Sequence, residues 1–321
     1  MNVISFFSGC GGLDLGFERA GFKVLWANDN AQSISRTYRK NFPSTTLSIK
    51  DIKQIEISEI PTNIDGIIGG PPCQSWSNAG KGLGFNDPRG EVFKTFIEIL
   101  DKIKPKFFVA ENVKGIMAAR NKEAFDEICQ LFDSIGYDLN VECLNAADYD
   151  VPQSRERVFF VGFRKDLKIS YVFPQRCNMV RTVREAIEDI NKDAVRAGEK
   201  TSINAHEYWV GGYSYIFMSR NRVLDWDSPA FTIQASGRQT SIHPSVPKMK
   251  KIEKDVYEFA KGYENQYRRL TARECARIQT FPDSFQFIYT NLNDVYKMIG
   301  NAVPVNLAYH IARSIKSAFI K

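Results

Sequence analysis

NVISFFSGCGGLDLGFERAGF, residues 2–22, is the stretch on which the fold turns. Residues 2–7 are mostly apolar and too few for a helix, so they read as a short buried strand ending at Ser8. Gly9, Gly11 and Gly12 make a turn, and LDLGFERAGF reads as a short helix closed by Gly21. Strand, glycine turn and helix are the first step of an α/β sheet, and the step recurs down the chain. KVLWAND is a second strand ending on Asp29, a weaker third ends near Asp51, IDGIIGG is a fourth, and KFFVAENV is a fifth ending at Glu111 and Asn112. Val92, Phe96, Leu100 and Ile103 share one helical face ahead of Pro105, and Phe125, Ile128, Phe132 and Ile135 share another ahead of Gly136. LNVECL and RVFFVGF complete the set. This alternation predicts an α/β fold with a mostly parallel, doubly wound sheet and ligands at the carboxyl ends of its strands.

Beyond Phe173 the rhythm stops. Residues 174–265 are rich in turn residues and read as a smaller, irregular domain, while the helical face of Leu307, Ile311, Ile315 and Phe319 is expected to return to the larger one. The chain carries 43 Lys+Arg against 37 Asp+Glu, a net charge of +6, which permits a polyanionic partner. MSRNRV (218–223), SGRQ (236–239), KMKK (248–251) and YRRLTARECAR (267–277) all fall in the second half, and read either as a nucleic-acid-facing surface or as a solvated one. No apolar run is long enough to span a bilayer, and MNVISFF has no basic segment ahead of a long apolar stretch; no membrane association is expected and a cytoplasmic location is. The six cysteines include no Cys-x-x-Cys pair and the three histidines are scattered, so neither a metal site nor a disulfide framework is expected. Cys129 and Cys275 lie in helical patterns and read as buried small hydrophobes.

The chemistry sits at the predicted strand ends. Gly9-x-Gly11-Gly12 lies where backbone N–H groups and a helix dipole can hold an anion. It is not the dinucleotide fingerprint, because Asp14 stands where that pattern needs Gly, nor a phosphate loop, because Phe17 follows Gly16 where Lys is required. The turn is either purely structural or the seat of a nucleoside-type ligand with one small anionic group, whose ribose Asp29 could meet. S-adenosylmethionine fits that description. Cys73 in GGPPCQ follows the fourth strand directly, and reads as an exposed nucleophile or as an incidental packing residue. Glu111 emerges at the same sheet edge, as a proton donor or as a cap or ion-pair partner. Arg155 and Arg157, two apart before a strand, are expected on one face, where they would hold a base edge or a phosphate, or merely solvent.

Taken in order, FFSGCGGLDLGFERAGF, GGPPCQSWS, DPRGEVF, ENVKG, QSRERVFFVGFR, RRLTARECARIQTFPD and IGNAVPVNLA resemble the blocks of the DNA cytosine-5 methyltransferase family, over nearly the whole chain. Residues 214–244 further resemble the recognition region of its HaeIII-type branch, which acts on GGCC. The resemblance implies a Rossmann-like S-adenosylmethionine-dependent domain over 1–173 and 290–321, and a target-recognition domain over 174–289. It implies Cys73 as nucleophile at carbon 6 of a flipped cytosine, Glu111 at ring nitrogen 3, and Arg155 and Arg157 gripping base and phosphate. Gln74 to Arg89 would form a lid. Phe7, Gly9, Gly11, Asp29, Asp51 and Asn301 would contact the cofactor; Asp29 stands where the family commonly has Glu, and Val305 where it commonly has a second proline. Arg220, Arg222 and Arg238 would read guanines, whereas Arg268 and Arg269 would support packing. Double-stranded DNA is the implied partner, a monomer the expected state, and host protection against a restriction enzyme the expected setting. A tRNA cytosine-5 methyltransferase and a catalytically silent DNA-binding protein are the competing readings.

Overall fold

The structure, a computed structural model, describes residues 1–72 and 90–320. Contacts divide the chain into two compact units, one of residues 1–145, 156–176 and 307–321, the other of 146–155 and 177–306.

The first unit is built on seven strands: β1 (Asn2–Phe6), β2 (Lys23–Asp29), β3 (Thr46–Ile49), β4 (Gly66–Gly69), β5 (Phe107–Val113), β6 (Tyr137–Asn145) and β7 (Glu156–Arg164). They lie in the order β3-β2-β1-β4-β5-β7-β6, and β1 to β5 pair in parallel. β7 runs antiparallel to both β5 and β6. The strand order reverses at β1/β4, the place where an open α/β sheet leaves a crevice beyond its strand ends. The fold expectation of a mixed, mostly parallel sheet is met, with β5 running on to Val113.

Period-2 alternation explains how the strands hold two layers of helices. Phe108 stacks on Phe132 of α4 (Lys122–Ser134) at 4.4 Å, on the face where α3 (Gly90–Ile103) buries Phe93, Phe96 and Leu100. Its neighbour Phe107 turns the other way, edge-on to Phe319, the residue after α8 (Val305–Ala318), and to Phe22 behind α1 (Gly12–Arg19). Each such ring removed from water contributes about 1.5–3 kcal/mol. α2 (Ser35–Asn41) completes the helices of this unit among the described residues.

The second unit has little regular structure, as expected: two two-stranded sheets and the helices α5 (Val183–Ile187), α6 (Ala272–Ile278) and α7 (Leu292–Asn301). Its limits differ from the expected 174–289, because residues 290–306 and 146–155 both belong to it. Tyr296 of α7 donates to the carbonyl of Leu270 at 2.7 Å, and a Cβ on Gly300 would fall 2.5 Å from the backbone of Ala235. Residues 152–154 run alongside 230–232, with Ala230 N–H on Pro152 O and Ser154 N–H on Ala230 O, each at 2.9 Å. Cys275 is fully buried as expected, and Cys129 only partly. Among the described residues no helix is long and apolar enough to cross a membrane.

Candidate active site

The turn after β1 is shaped by three residues in the left-handed region, Phe7 (φ 54°), Gly9 (φ 54°) and Gly11 (φ 96°). A side chain at Gly9 would meet nothing within 4 Å, so the backbone there faces open space; at Gly11 a Cβ would lie 2.2 Å from the Phe42 ring. Gly11 caps α1 without any side-chain acceptor, which leaves the helix start suited to an anion. Asp29 ends β2 beside this turn. Its Oδ2 accepts the Gly9 N–H at 2.9 Å and its Oδ1 the Ala31 N–H at 2.8 Å. A carboxylate has about four acceptor positions, so these two bonds orient the group without exhausting it. Phe7 packs on Phe96, ring centroids 6.5 Å apart, and Asp51 accepts the Lys53 N–H at 2.9 Å beyond β3. Of the predicted cofactor residues, Phe7, Gly9, Gly11, Asp29 and Asp51 thus lie in the first unit, while Asn301, exposed at the end of α7, lies in the second.

Cys10, inside the turn, is 1% exposed and burial pushes its thiol up to about 12, so it packs rather than reacts. Asp14, three residues after Gly11, is the residue sequence reasoning used only to reject a dinucleotide site. It is fully buried, accepting the Ser5 hydroxyl at 2.6 Å and the Tyr38 hydroxyl at 2.5 Å. Burial raises its carboxyl group to about 7, in spite of both hydroxyls, which pull the other way. The available signal was an acid set between Leu13 and Phe17 on an otherwise apolar helix face.

Beyond β4 and β5 the second group assembles. Glu111 makes an ion pair with Arg157 Nε at 2.9 Å, both side chains about seven-eighths covered. The pairing follows from register: Arg157 of β7 lies opposite Val113, and Glu111 is the diagonal neighbour on the same face. The Glu111 carboxylate also abuts Gly70, where an added Cβ would fall 3.2 Å from Oε2. Next to it, buried Asn112 donates to the carbonyl of Pro71 at 3.0 Å. The carboxyl group and the start of the Pro-Pro-Cys segment are therefore tied together by adjacent residues of one strand. Cys73 itself, and the Gln74 to Arg89 segment expected as a lid, lie outside the described residues.

Arg155 and Arg157 do not share a face or a task. β7 begins at Glu156, and Arg155 belongs to the 146–155 segment of the second unit. Arg155 is 1% exposed and donates to the carbonyls of Ile233 (3.2 Å), Gly300 (2.7 Å) and Ala302 (3.2 Å). Its donors thus hold protein backbone, a use different from the expected grip on a base. Arg222 likewise folds inward, donating to Phe217 O and Ile216 O at 2.9 Å each and lying over the Phe217 ring. Desolvation pulls its guanidinium below the ordinary range. Arg220 and Arg238 are exposed. Arg269, as expected, is a packing residue, donating to Gly211 O, Gly212 O and Arg238 O at 3.0–3.1 Å, and Arg268 forks onto buried Glu274.

A family model described as C-5 cytosine-specific DNA methylase matches residues 1–317. Type II methyltransferase M.FnuDI of Fusobacterium nucleatum is 54% identical over 98% of this chain and 94% of its own length. Type II methyltransferase M.NgoPII of Neisseria gonorrhoeae is 51% identical over 98% and 95%. Among solved structures, the Entamoeba histolytica methyltransferase EhMeth aligns with a TM-score of 0.74 and 20% identity over 100% of this chain and 99% of that one, a likeness of fold alone.

Proposed function

The chain belongs to the C-5 cytosine-specific DNA methylase family and is a DNA cytosine-C5 methyltransferase; from that premise we propose that it methylates the inner cytosine of GGCC in duplex DNA, with S-adenosylmethionine as donor, within a restriction-modification system. The observation that carries the reading is the Glu111 carboxylate, paired with Arg157 and set against Gly70 three residues before Cys73.

The residues present fit the donor. The open backbone at Gly9, the uncapped start of α1 and the oriented Asp29 carboxylate would take its carboxylate and ribose, with Phe7 and Asp51 beside them. When bound, S-adenosylmethionine supplies an electrophilic methyl group for carbon 5 of the base. Carbon 5 of cytosine is too weak a nucleophile by itself, and the protein's part is to activate it. The Cys73 thiolate would add to carbon 6, making carbon 5 enamine-like. Glu111, held in aim by Arg157, would hydrogen-bond or protonate ring nitrogen 3 and so stabilise the adduct. With the carbon 5 proton taken by water acting as base, the Cys73 thiolate would leave carbon 6 and the aromatic ring would be restored. Such attack on both faces of a stacked base is impossible, so the cytosine must leave the duplex, at a cost of about a few kcal/mol. Exposed Arg220 and Arg238 are the base readers this reading retains, and Arg155 and Arg222 act through the backbone they hold.

The test is transfer of labelled methyl from S-adenosylmethionine to duplexes carrying GGCC, GCGC or neither, with the modified position mapped by bisulfite sequencing. Label at the inner cytosine of GGCC alone is expected. Label in GCGC would discard the specificity, and label in no duplex would discard the DNA substrate.

A further inference from the structure

The polar network beneath the glycine turn has no part in the chemistry above. Five buried residues form a continuous chain of contacts through four elements: Ser5 of β1, Asp14 of α1, Tyr38 of α2, Phe42 just after α2, and Gly11 of the turn. Asp14 bonds the hydroxyls of Ser5 and Tyr38; the Tyr38 ring stacks on Phe42 with centroids 4.6 Å apart; the Phe42 ring fills the space where Gly11 would carry a Cβ. The chain closes on itself, because Gly11 lies three residues before Asp14 on the same helix start. A carboxyl group is an expensive way to fill an apolar interior, and every hydroxyl it engages constrains where α1 and α2 lie.

Resting on the donor site proposed above, we propose that Asp14 is a positioning residue for methyl-donor binding, fixing the Gly9–Gly12 backbone through Ser5 and through the Tyr38–Phe42 stack. Asp14 touches no reacting atom; it sets the turn that does the binding. A consequence for pH follows from where its carboxyl group titrates. The charged or titratable groups around it are Tyr38 from α2, Glu18 on its own helix and Cys10 in the turn, with Ser5 the only partner from β1. Among the described residues none of these groups supplies a positive charge. An ionised Asp14, which the two hydroxyls and a backbone N–H stabilise only in part, therefore sets a negative charge below the helix start that is to hold the donor's own carboxylate. Donor affinity should fall as Asp14 ionises, and, by linkage, donor binding should draw in a proton.

Calorimetric titration of S-adenosylmethionine into the full-length protein at pH 6, 7 and 8 tests this, with duplex affinity measured alongside. The wild type is expected to bind the donor about tenfold more tightly at pH 6 than at pH 8. Asp14→Asn should flatten that dependence, and Tyr38→Phe, which keeps the ring stack and loses only the hydroxyl, should weaken donor binding several-fold; both should leave duplex affinity unchanged. Donor affinities equal to wild type at every pH in either soluble variant would overturn the proposal. So would equal losses of donor and duplex affinity that track a lowered melting temperature, because that is what a merely structural residue gives. A wild type that binds no donor at any pH would instead overturn the donor site itself.

Discussion

In the first unit the backbone looks after itself, whereas in the second it is looked after by arginines. The carbonyls of β1 to β7 are taken up by neighbouring strands, which frees the residues at the strand ends to face a ligand. The second unit has only two-stranded sheets and short helices. There Arg155, Arg222, Arg269 and Arg273 are all at least nine-tenths buried and aim their donors at carbonyls, Arg273 at those of Asn204, Pro282 and Phe285. An irregular chain leaves acceptors that no ladder reaches, and a guanidinium with five donors satisfies several at once. Arginine in this unit is thus partly scaffold, and a count of its cations overstates the surface offered to DNA.

The sharpest break between the units should come from the chemistry, which the first unit alone is to carry. Cys73→Ser is expected to abolish turnover while sparing donor binding, and Glu111→Gln to lower kcat by about 10²–10⁴-fold, the usual contribution of a positioned acid. Single-turnover methyl transfer checks both. A Glu111→Gln enzyme with wild-type kcat would remove the carboxyl group from the mechanism and with it the meaning of the Arg157 pair.

Arg269→Met should cost stability rather than chemistry. It preserves bulk but releases the carbonyls of Gly211, Gly212 and Arg238 and gives up the cation–π contact with Tyr213 at 4.2 Å. Gly211, Gly212 and Arg238 are exposed residues, so water can reach these carbonyls once the guanidinium is gone. What is lost is the net worth of hydrogen bonds to a charged group, and a loss of about 1.5–3 kcal/mol is expected in urea unfolding. A variant as stable as the parent but deficient in DNA binding would move Arg269 to the surface function and weaken the contrast.

The units should also answer pH in opposite senses. His243 is fully buried, and burial first, with Arg268 beside it, pulls its ring down to about 4. An ordinary histidine takes up its proton near pH 6.5. Between these values the unfolded chain binds a proton that the folded chain resists, so the stability His243 contributes is complete above pH 6.5 and lost as pH falls towards 4, by about 3 kcal/mol. Asp14 is raised from 3.8 to about 7, and there the folded chain keeps a proton that the unfolded chain releases. Its contribution is complete below pH 3.8 and lost as pH rises to 7. Denaturation followed at pH 5 and pH 7.5 should find the acid sensitivity reduced in His243→Gln, and the alkaline loss reduced in Asp14→Asn. Identical pH responses in both variants and the parent would erase this difference between the units.

How much of this was legible in the sequence follows the same division. The strands and helices of the first unit were readable because each has its own periodicity, and Glu111 because an acid after FFVA marks where the strand leaves the core, although β5 runs two residues further, to Val113. What could not be read was side-chain direction where periodicity fails. Arg155 and Arg157 are two apart, yet the strand begins between them, so the alternation that should have aligned them never applies. Arg222 and Arg220 are also two apart in irregular chain, and one faces in while the other faces out. Asp14 was visible as an anomaly, but its partners Ser5 and Tyr38 come from other elements and only the fold brings them to it.

The two exposed arginines of the second unit's predicted base readers, Arg220 and Arg238, give the finest test of the comparison. Arg220→Ala and Arg238→Ala remove exposed side chains for which no backbone carbonyl depends on the guanidinium in the way Gly211 and Gly212 depend on Arg269, so their melting temperatures should correspond to changes within about 0.5 kcal/mol. If they read guanine, each should lose about 1–3 kcal/mol of affinity for GGCC and relax discrimination at one base pair. If they hold only phosphate, affinity should fall alike on every duplex and the salt dependence should flatten by about one ion. Measuring both variants on GGCC and a scrambled duplex at two salt concentrations separates the outcomes. Either result keeps exposed arginines as DNA ligands beside buried ones that serve as scaffold. Loss of stability without loss of binding would show that exposure, too, fails to tell the two kinds apart.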